Sequence, residues 1–322
     1  MNNLYIIGNG FDLAHGIDTR YWGFRTFLEE NHWEFLQQFE NLYGIQPLDE
    51  SEYGYSEEAQ GRWNTRVNKA LWSEFERSMA TPDFQSMLDH SSSVVGDLDL
   101  DSGNNGIRDT MDDYWRREFG FIKKLQKYVK EWIEQIDSSR VIPKKQTLVD
   151  NDRDYFFNFN YTRVLEDIYH IERVIHIHGT IGPDANYAPI MGHCNIAEIE
   201  ARRQLSYDAE ENYDEGGASI QEAVSDYLQE IYKDTAFYIE VNSYFFELLH
   251  TIDNVIIVGW SAGEVDIPYL MKIKDSIGKH ARWTAYYYNT DAYISLSKAL
   301  AACGILDSFV VEFKETSTFW DT

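Results

Sequence analysis

An apolar run, Leu4-Tyr5-Ile6-Ile7, leads without a break into Gly8-Asn9-Gly10-Phe11-Asp12. A strand that is apolar at every position is buried on both faces, the condition of a parallel sheet covered by helices. Two glycines one residue apart at its end predict a tight turn into a helix, where a phosphate can approach bare backbone. The third glycine of the longer G-x-G-x-x-G pattern is replaced by Leu13.

The rest of the chain repeats the theme. Apolar strands are expected at 155–159, 174–177, 254–258, 283–287 and 309–313, with helices near 163–169, 264–277 and 291–302 between them. This alternation predicts an α/β fold with a Rossmann-like parallel sheet. Large helical insertions are expected at about 18–140 and 195–250, in one domain spanning 1–322. Within them we expect helices over 58–80 and 108–136, a loop over Ser91–Gly106 and an acidic, solvated loop over 208–215.

Ligands of such sheets sit beyond the carboxyl ends of the strands. The polar residues there are candidate contacts: Gly8, Asn9, Gly10, Phe11 and Asp12 after the first strand, and His15 close behind. Asn158, Asn160 and Thr162 follow the second strand, and His176, His178 and Gly179 the third. Gly259, Ser261, Glu264 and Asp266 follow the fourth, and Asn289 the fifth.

Charge narrows the partners. With 28 basic and 54 acidic residues the net charge is -26, a field that repels a phosphate polymer and argues against nucleic acid. Only two cysteines occur, Cys194 and Cys303, so neither a disulfide framework nor a CxxC zinc pair is available. His193 beside Cys194, with His176 and His178, lacks carboxylates at ligand spacing, and no metal is expected. No apolar stretch reaches membrane-spanning length and the first apolar run is too short for a signal peptide, so a cytoplasmic location without membrane contact is expected.

The ordered series resembles the sirtuin-like NAD-consuming domain. Gly8 and Gly10 match its G-x-G, Asn160 its catalytic Asn, and His178 its catalytic His before glycine. Gly259 and Ser261 match its G-x-S, and Asn289 its late adenosine-holding Asn. Thr162 stands where sirtuins carry Asp, and the zinc-binding cysteines are absent, which favours plain NAD hydrolysis over protein deacylation. A resemblance over nearly the whole chain is to the bacteriophage abortive infection AbiH family, carried by "LYIIGNGFDLAHG", "FNFNYT", "IHIHG", "MGH" and "GWSAGEVDIPYL". It implies antiphage defence, with a second copy or a phage or defence protein as partner.

The sirtuin-like resemblance implies a protein that binds NAD or a related nucleotide and acts on it as an NAD glycohydrolase, with Asn160 and His178 catalytic; the AbiH resemblance implies the defence role and no particular activity. Breaking the nicotinamide–ribose bond needs a held ribose, water and a base, and histidine suits the base. Other readings stay open. Gly8 and Gly10 can serve the turn alone, Asn160 can cap a helix, His178 can be structural, and Asp12 and Asp266 can be loop caps. His15 is expected in a turn or pocket wall, and His176 inside a strand. The pocket can also serve a non-catalytic NAD or ADP-ribose sensor or assembly module. Gly259-Trp260-Ser261-Ala262-Gly263 is a G-x-S-x-G, the pattern of a serine hydrolase elbow, but only His280 follows it.

Overall fold

Leu4 and Ile6 face one side of strand β1 (Asn3–Ile7), Tyr5 and Ile7 the other, and all four are buried. The unbroken apolar run is thus a strand covered on both faces. The computed structural model describes residues 1–48, 56–97, 106–138, 141–145, 153–182 and 185–321. The chain forms two compact units.

The first unit comprises Met1–Arg20, Val129–Ile190 and Asp234–Thr322. Its centre is a six-stranded sheet of β1, β2 (Asp154–Asn158), β3 (Val174–His176), β4 (Asn254–Val258), β5 (Arg282–Tyr287) and β6 (Val310–Glu315). Every pairing is parallel and the spatial order is β3-β2-β1-β4-β5-β6. The α/β class and the parallel sheet match the sequence reading.

On one face Leu4, Ile6, Phe157, Val255, Ile257 and Trp283 pack with Phe245, Tyr269, Leu270 and Leu296 from the covering helices. On the other, Tyr5, Ile7, Phe156 and Val258 pack with Phe11, Val164, Leu165 and Phe319. Burial of this kind is worth roughly 25 cal/mol per Å² of apolar surface, which makes the doubly covered sheet the main source of stability in this unit.

Register decides where the loops emerge. Ile7 lies opposite both Asn158 and Val258, Asn158 opposite His176, and Val258 opposite Tyr286. The strands end level, so residues 8–12, 158–162, 176–180 and 259–266 leave the sheet along one edge. The chain builds outward from β1 first toward β3 and then, from β4, toward β6. That reversal falls between β1 and β4, where an open parallel sheet leaves a crevice.

The second unit, Tyr21–Tyr128 with Met191–Lys233, is helical. Among the described residues its interior holds two ion pairs. Arg25 forks onto Glu40 at 2.8 and 3.2 Å, with the Trp72 indole donating to the same carboxylate, and Lys233 lies 2.5 Å from Glu76. Such pairs are costly to break singly, because one buried charge is left uncompensated.

Three helical expectations need correction. The segment 108–136 is not one helix: Ile107–Glu118 ends before a tighter turn at Gly120–Lys124, and Leu125–Glu134 follows. Gly120 has the weak helix propensity that allows the break. Ser91 to Asp97 is helical, as the end of Phe84–Asp97, with Met87, Ser91 and Val94 buried at helical spacing, so packing overrides composition. Residues 98–105 of that expected loop lie outside the described residues. The acidic stretch is helical to Glu211 and again from Glu215. Asp214 accepts from the Gly217 amide at 2.8 Å and starts the second helix, so its carboxylate is a cap.

Candidate functional site

The β1 and β4 loops interlock through glycine. Gly8 N–H donates to the Val258 carbonyl at 3.0 Å and Gly10 N–H to the Gly259 carbonyl at 2.8 Å. A Cβ on Gly8 would stand 2.5 Å from Trp260 Cα, and one on Gly10 2.7 Å from Gly259 Cα. Gly259 has φ +69, and its own Cβ would meet Phe11 N at 2.4 Å. These three positions carry glycine because two backbones touch, and the amides of Gly8 and Gly10 are engaged within the protein.

Asp12 sits in the helix Asn9–Ala14 and is 1 % exposed. It collects donors from the β2 loop: Asn160 Nδ2 gives to its Oδ1 at 3.0 Å, and Thr162 Oγ1 to its Oδ2 at 2.6 Å. Burial pushes the Asp12 carboxyl up to about 7, against the opposing pull of hydrogen bonds from Thr162, Asn160 and Thr19. Asn160 Nδ2 also donates to the Gly8 carbonyl at 3.1 Å. Both protons of this amide therefore have protein acceptors, and Asn160 Oδ1 is what the side chain presents as an acceptor.

His178 follows β3 and is held in an aromatic sleeve of Phe159, Tyr161 and Tyr269. Its Nε2 lies 3.1 Å from Asp266 Oδ1, at an angle poor for a full hydrogen bond. Asp266 Oδ2 accepts from Trp260 Nε1 at 2.9 Å. Trp260 stacks on Phe159 with ring centroids 6.0 Å apart. Residues from the β2, β3 and β4 loops thus surround one imidazole, whose Nδ1 has no hydrogen-bond partner among the described residues. A histidine oriented by a carboxylate, with one nitrogen free, is the arrangement of a general base.

The remaining candidates have other surroundings. His15 uses both ring nitrogens internally, Nδ1 on Phe11 O at 2.8 Å and Nε2 on Tyr169 OH at 2.6 Å, and burial lowers its pKa. Phe11 is buried beside His15, Tyr169 and Trp320. Asn9 Oδ1 accepts from Thr19 Oγ1. Ser261 and Glu264 are exposed. Asn289 is the cap of the helix Thr290–Ala302, its Oδ1 accepting from Ala292 N at 2.8 Å. His193 lies in the second unit with Nε2 on the Leu228 carbonyl and Nδ1 accepting from Asn195 N, and burial lowers its pKa to about 4. Among the described residues no group of His, Cys, Asp and Glu is arranged to hold a metal ion.

Sequence reasoning passed over two participants. Trp260 was seen only as the variable residue of G-x-S-x-G, although an indole two residues past the end of β4 has an N–H to place. Glu166, which holds His176 Nε2 at 2.7 Å, lies one helical turn beyond the β2 loop and carries no motif.

The chain matches one family model, described as Bacteriophage abortive infection AbiH, over residues 4–287. It belongs to this family. No curated protein matches the chain. AbiH membership implies a role in phage abortive infection. The AbiH match runs from β1 to the end of β5, so it takes in every loop that builds the sheet-end site. Among the described residues of this AbiH chain no helix is long and apolar enough to cross a membrane.

Proposed function

We propose that this AbiH chain hydrolyses NAD to ADP-ribose and nicotinamide, and so removes NAD during infection. The observation that carries the proposal is the His178–Asp266 pair, set at the same sheet edge as the Asp12–Asn160 pair. The strand order β3-β2-β1-β4-β5-β6 is that of dinucleotide-binding doubly wound sheets, which supports a Rossmann-like reading and a dinucleotide at the β1/β4 reversal.

The chemistry follows from the groups present. The bond between the anomeric carbon and the nicotinamide nitrogen breaks, and its electron pair neutralises the positive ring. Water adds to the anomeric carbon and His178 Nδ1 takes the released proton. Asn160 Oδ1 accepts from a ribose hydroxyl or from the water. Asp266 holds the imidazole in the tautomer that leaves Nδ1 basic. The test is release of free nicotinamide from NAD by the purified protein, repeated as cellular NAD during phage infection to include an activating phage component. Unchanged NAD in infected cells carrying the wild type overturns the proposal.

A second reading is a non-catalytic NAD or ADP-ribose sensor. One observation favours it: Asp12, Asn160 and Thr162 already satisfy one another. Saturable binding of NAD without nicotinamide release in either assay identifies the sensor.

A further inference from the structure

A cleft of about 410 Å³ opens in the first unit beside edge strand β3; of the residues read from the sequence as ligand contacts, His176 and Gly179 line it, while Asn160, His178 and Asp266 do not. Its walls include Arg163, Glu166, Ile171, Val174, His176 and Tyr187. The volume falls in the range of small-molecule sites.

Two groups in it are incompletely matched by protein. Glu166 Oε1 faces His176 Nε2 at 2.7 Å, but Glu166 Oε2 is screened from solvent and has no donor among the described residues. A shielded carboxylate oxygen without a donor is costly, and buried acceptors are ordinarily paired. His176 cannot turn to serve it, because Nδ1 is held 2.9 Å from the Asn160 carbonyl. Arg163, whose side chain is 21 % exposed, makes only a long 3.7 Å contact to Asp167 among the described residues. The lining of the cleft therefore includes a carboxylate oxygen without a donor among the described residues and a guanidinium with only a long contact. Ile171, Val174 and the Tyr187 ring supply apolar and aromatic wall.

We infer that this cleft is a second ligand site, and that it takes a purine nucleoside monophosphate. An exocyclic or ring N–H of the base meets Glu166 Oε2, the apolar wall covers the base, and the phosphate meets Arg163 in a charge-assisted contact. The site touches the sheet-end network through His176, which holds the Asn160 carbonyl, yet it stands on its own geometry and not on NAD hydrolysis.

The test is calorimetry on the full chain with AMP, GMP and adenosine. Wild type binds AMP or GMP saturably below millimolar concentration and adenosine more weakly. Glu166→Gln keeps an acceptor for His176 but puts a donor where the free oxygen was. Arg163→Ala removes only a partly exposed side chain, and its thermal midpoint reports an intact fold. Each variant weakens the monophosphates by about tenfold or more, the loss of one charge-assisted hydrogen bond. His178→Ala leaves that binding unchanged. No binding of AMP or GMP at millimolar concentration overturns the inference and leaves an ordered water as the partner of Glu166. Binding insensitive to Arg163→Ala, or lost only in His178→Ala, also overturns it and puts the nucleotide at the sheet edge instead.

Discussion

His178 Nε2 and Asp266 Oδ1 stand 3.1 Å apart, both side chains buried, one from the β3 loop and one from the β4 loop. If the pair acts as base and orienter, His178→Ala lowers nicotinamide release by about 10²–10⁴-fold. Asp266→Asn lowers it as well, with substrate affinity kept, because the imidazole loses its fixed tautomer. The assay is single-turnover nicotinamide release. Near-full turnover in His178→Ala removes it as the base.

Ser261 gives the contrasting case. It is exposed beyond the carboxyl end of β4, whereas His280 lies 3.5 Å from Asp253 at the amino end of the same strand. No histidine–serine relay can form between opposite ends of a strand. If the chain hydrolyses NAD, Ser261→Ala retains that turnover within about threefold, and the wild type shows no ester hydrolysis that the substitution abolishes.

Asp12 links stability to pH. Its folded carboxyl titrates near about 7, above the ~3.9 of an unfolded aspartate. A raised value means the folded state holds the proton more tightly. Its stabilising contribution is complete below about pH 4 and disappears as pH rises through 7, an effect of up to about 4 kcal/mol. Asp12→Asn mimics the protonated form and removes that dependence. Thermal midpoints between pH 5 and 8 therefore fall more steeply with pH in the wild type than in the variant.

His193 acts in the opposite direction. Burial lowers it to about 4, so the neutral ring contributes stability above about pH 6.5, and this is lost as pH falls toward 4. The size is about 3 kcal/mol. His193→Gln is less stable at neutral pH but loses stability less steeply over that window, as read by urea unfolding.

Gly259→Ala tests the interlock. Its φ of +69 disfavours any side chain, and the new methyl would meet Phe11 N at 2.4 Å. The combined strain and overpacking cost about 3 kcal/mol or more, seen as a lowered urea midpoint with an unchanged slope.

The sheet was legible because its central strands carry apolar runs, such as Leu4–Ile7 and Val255–Val258, that end in polar or glycine residues, as at Val258-Gly259 and Asn158-Phe159-Asn160. Helix breaks were harder. Trp115, Phe119, Ile122 and Leu125 keep helical spacing straight through the turn at Gly120, so periodicity conceals it. The separate roles of the glycines were also hidden. Gly8 and Gly10 read as a phosphate turn, but the backbone they accommodate belongs to a segment some 250 residues later, and only register brings it there. Pairings between side chains, such as Asp12 with Thr162, depend on that same register.

The glycine interlock bears on how such a site can change. Gly8, Gly10 and Gly259 are locked to one another, so none can be exchanged alone to alter what the crevice accepts. Variation is channelled into the residues that alternate with them: Asn9, Phe11, Trp260 and Ser261. Libraries that seek a new ligand preference should hold the three glycines constant and diversify those four, and a surviving substitution at Gly10 should arise together with a rebuilt loop at Gly259.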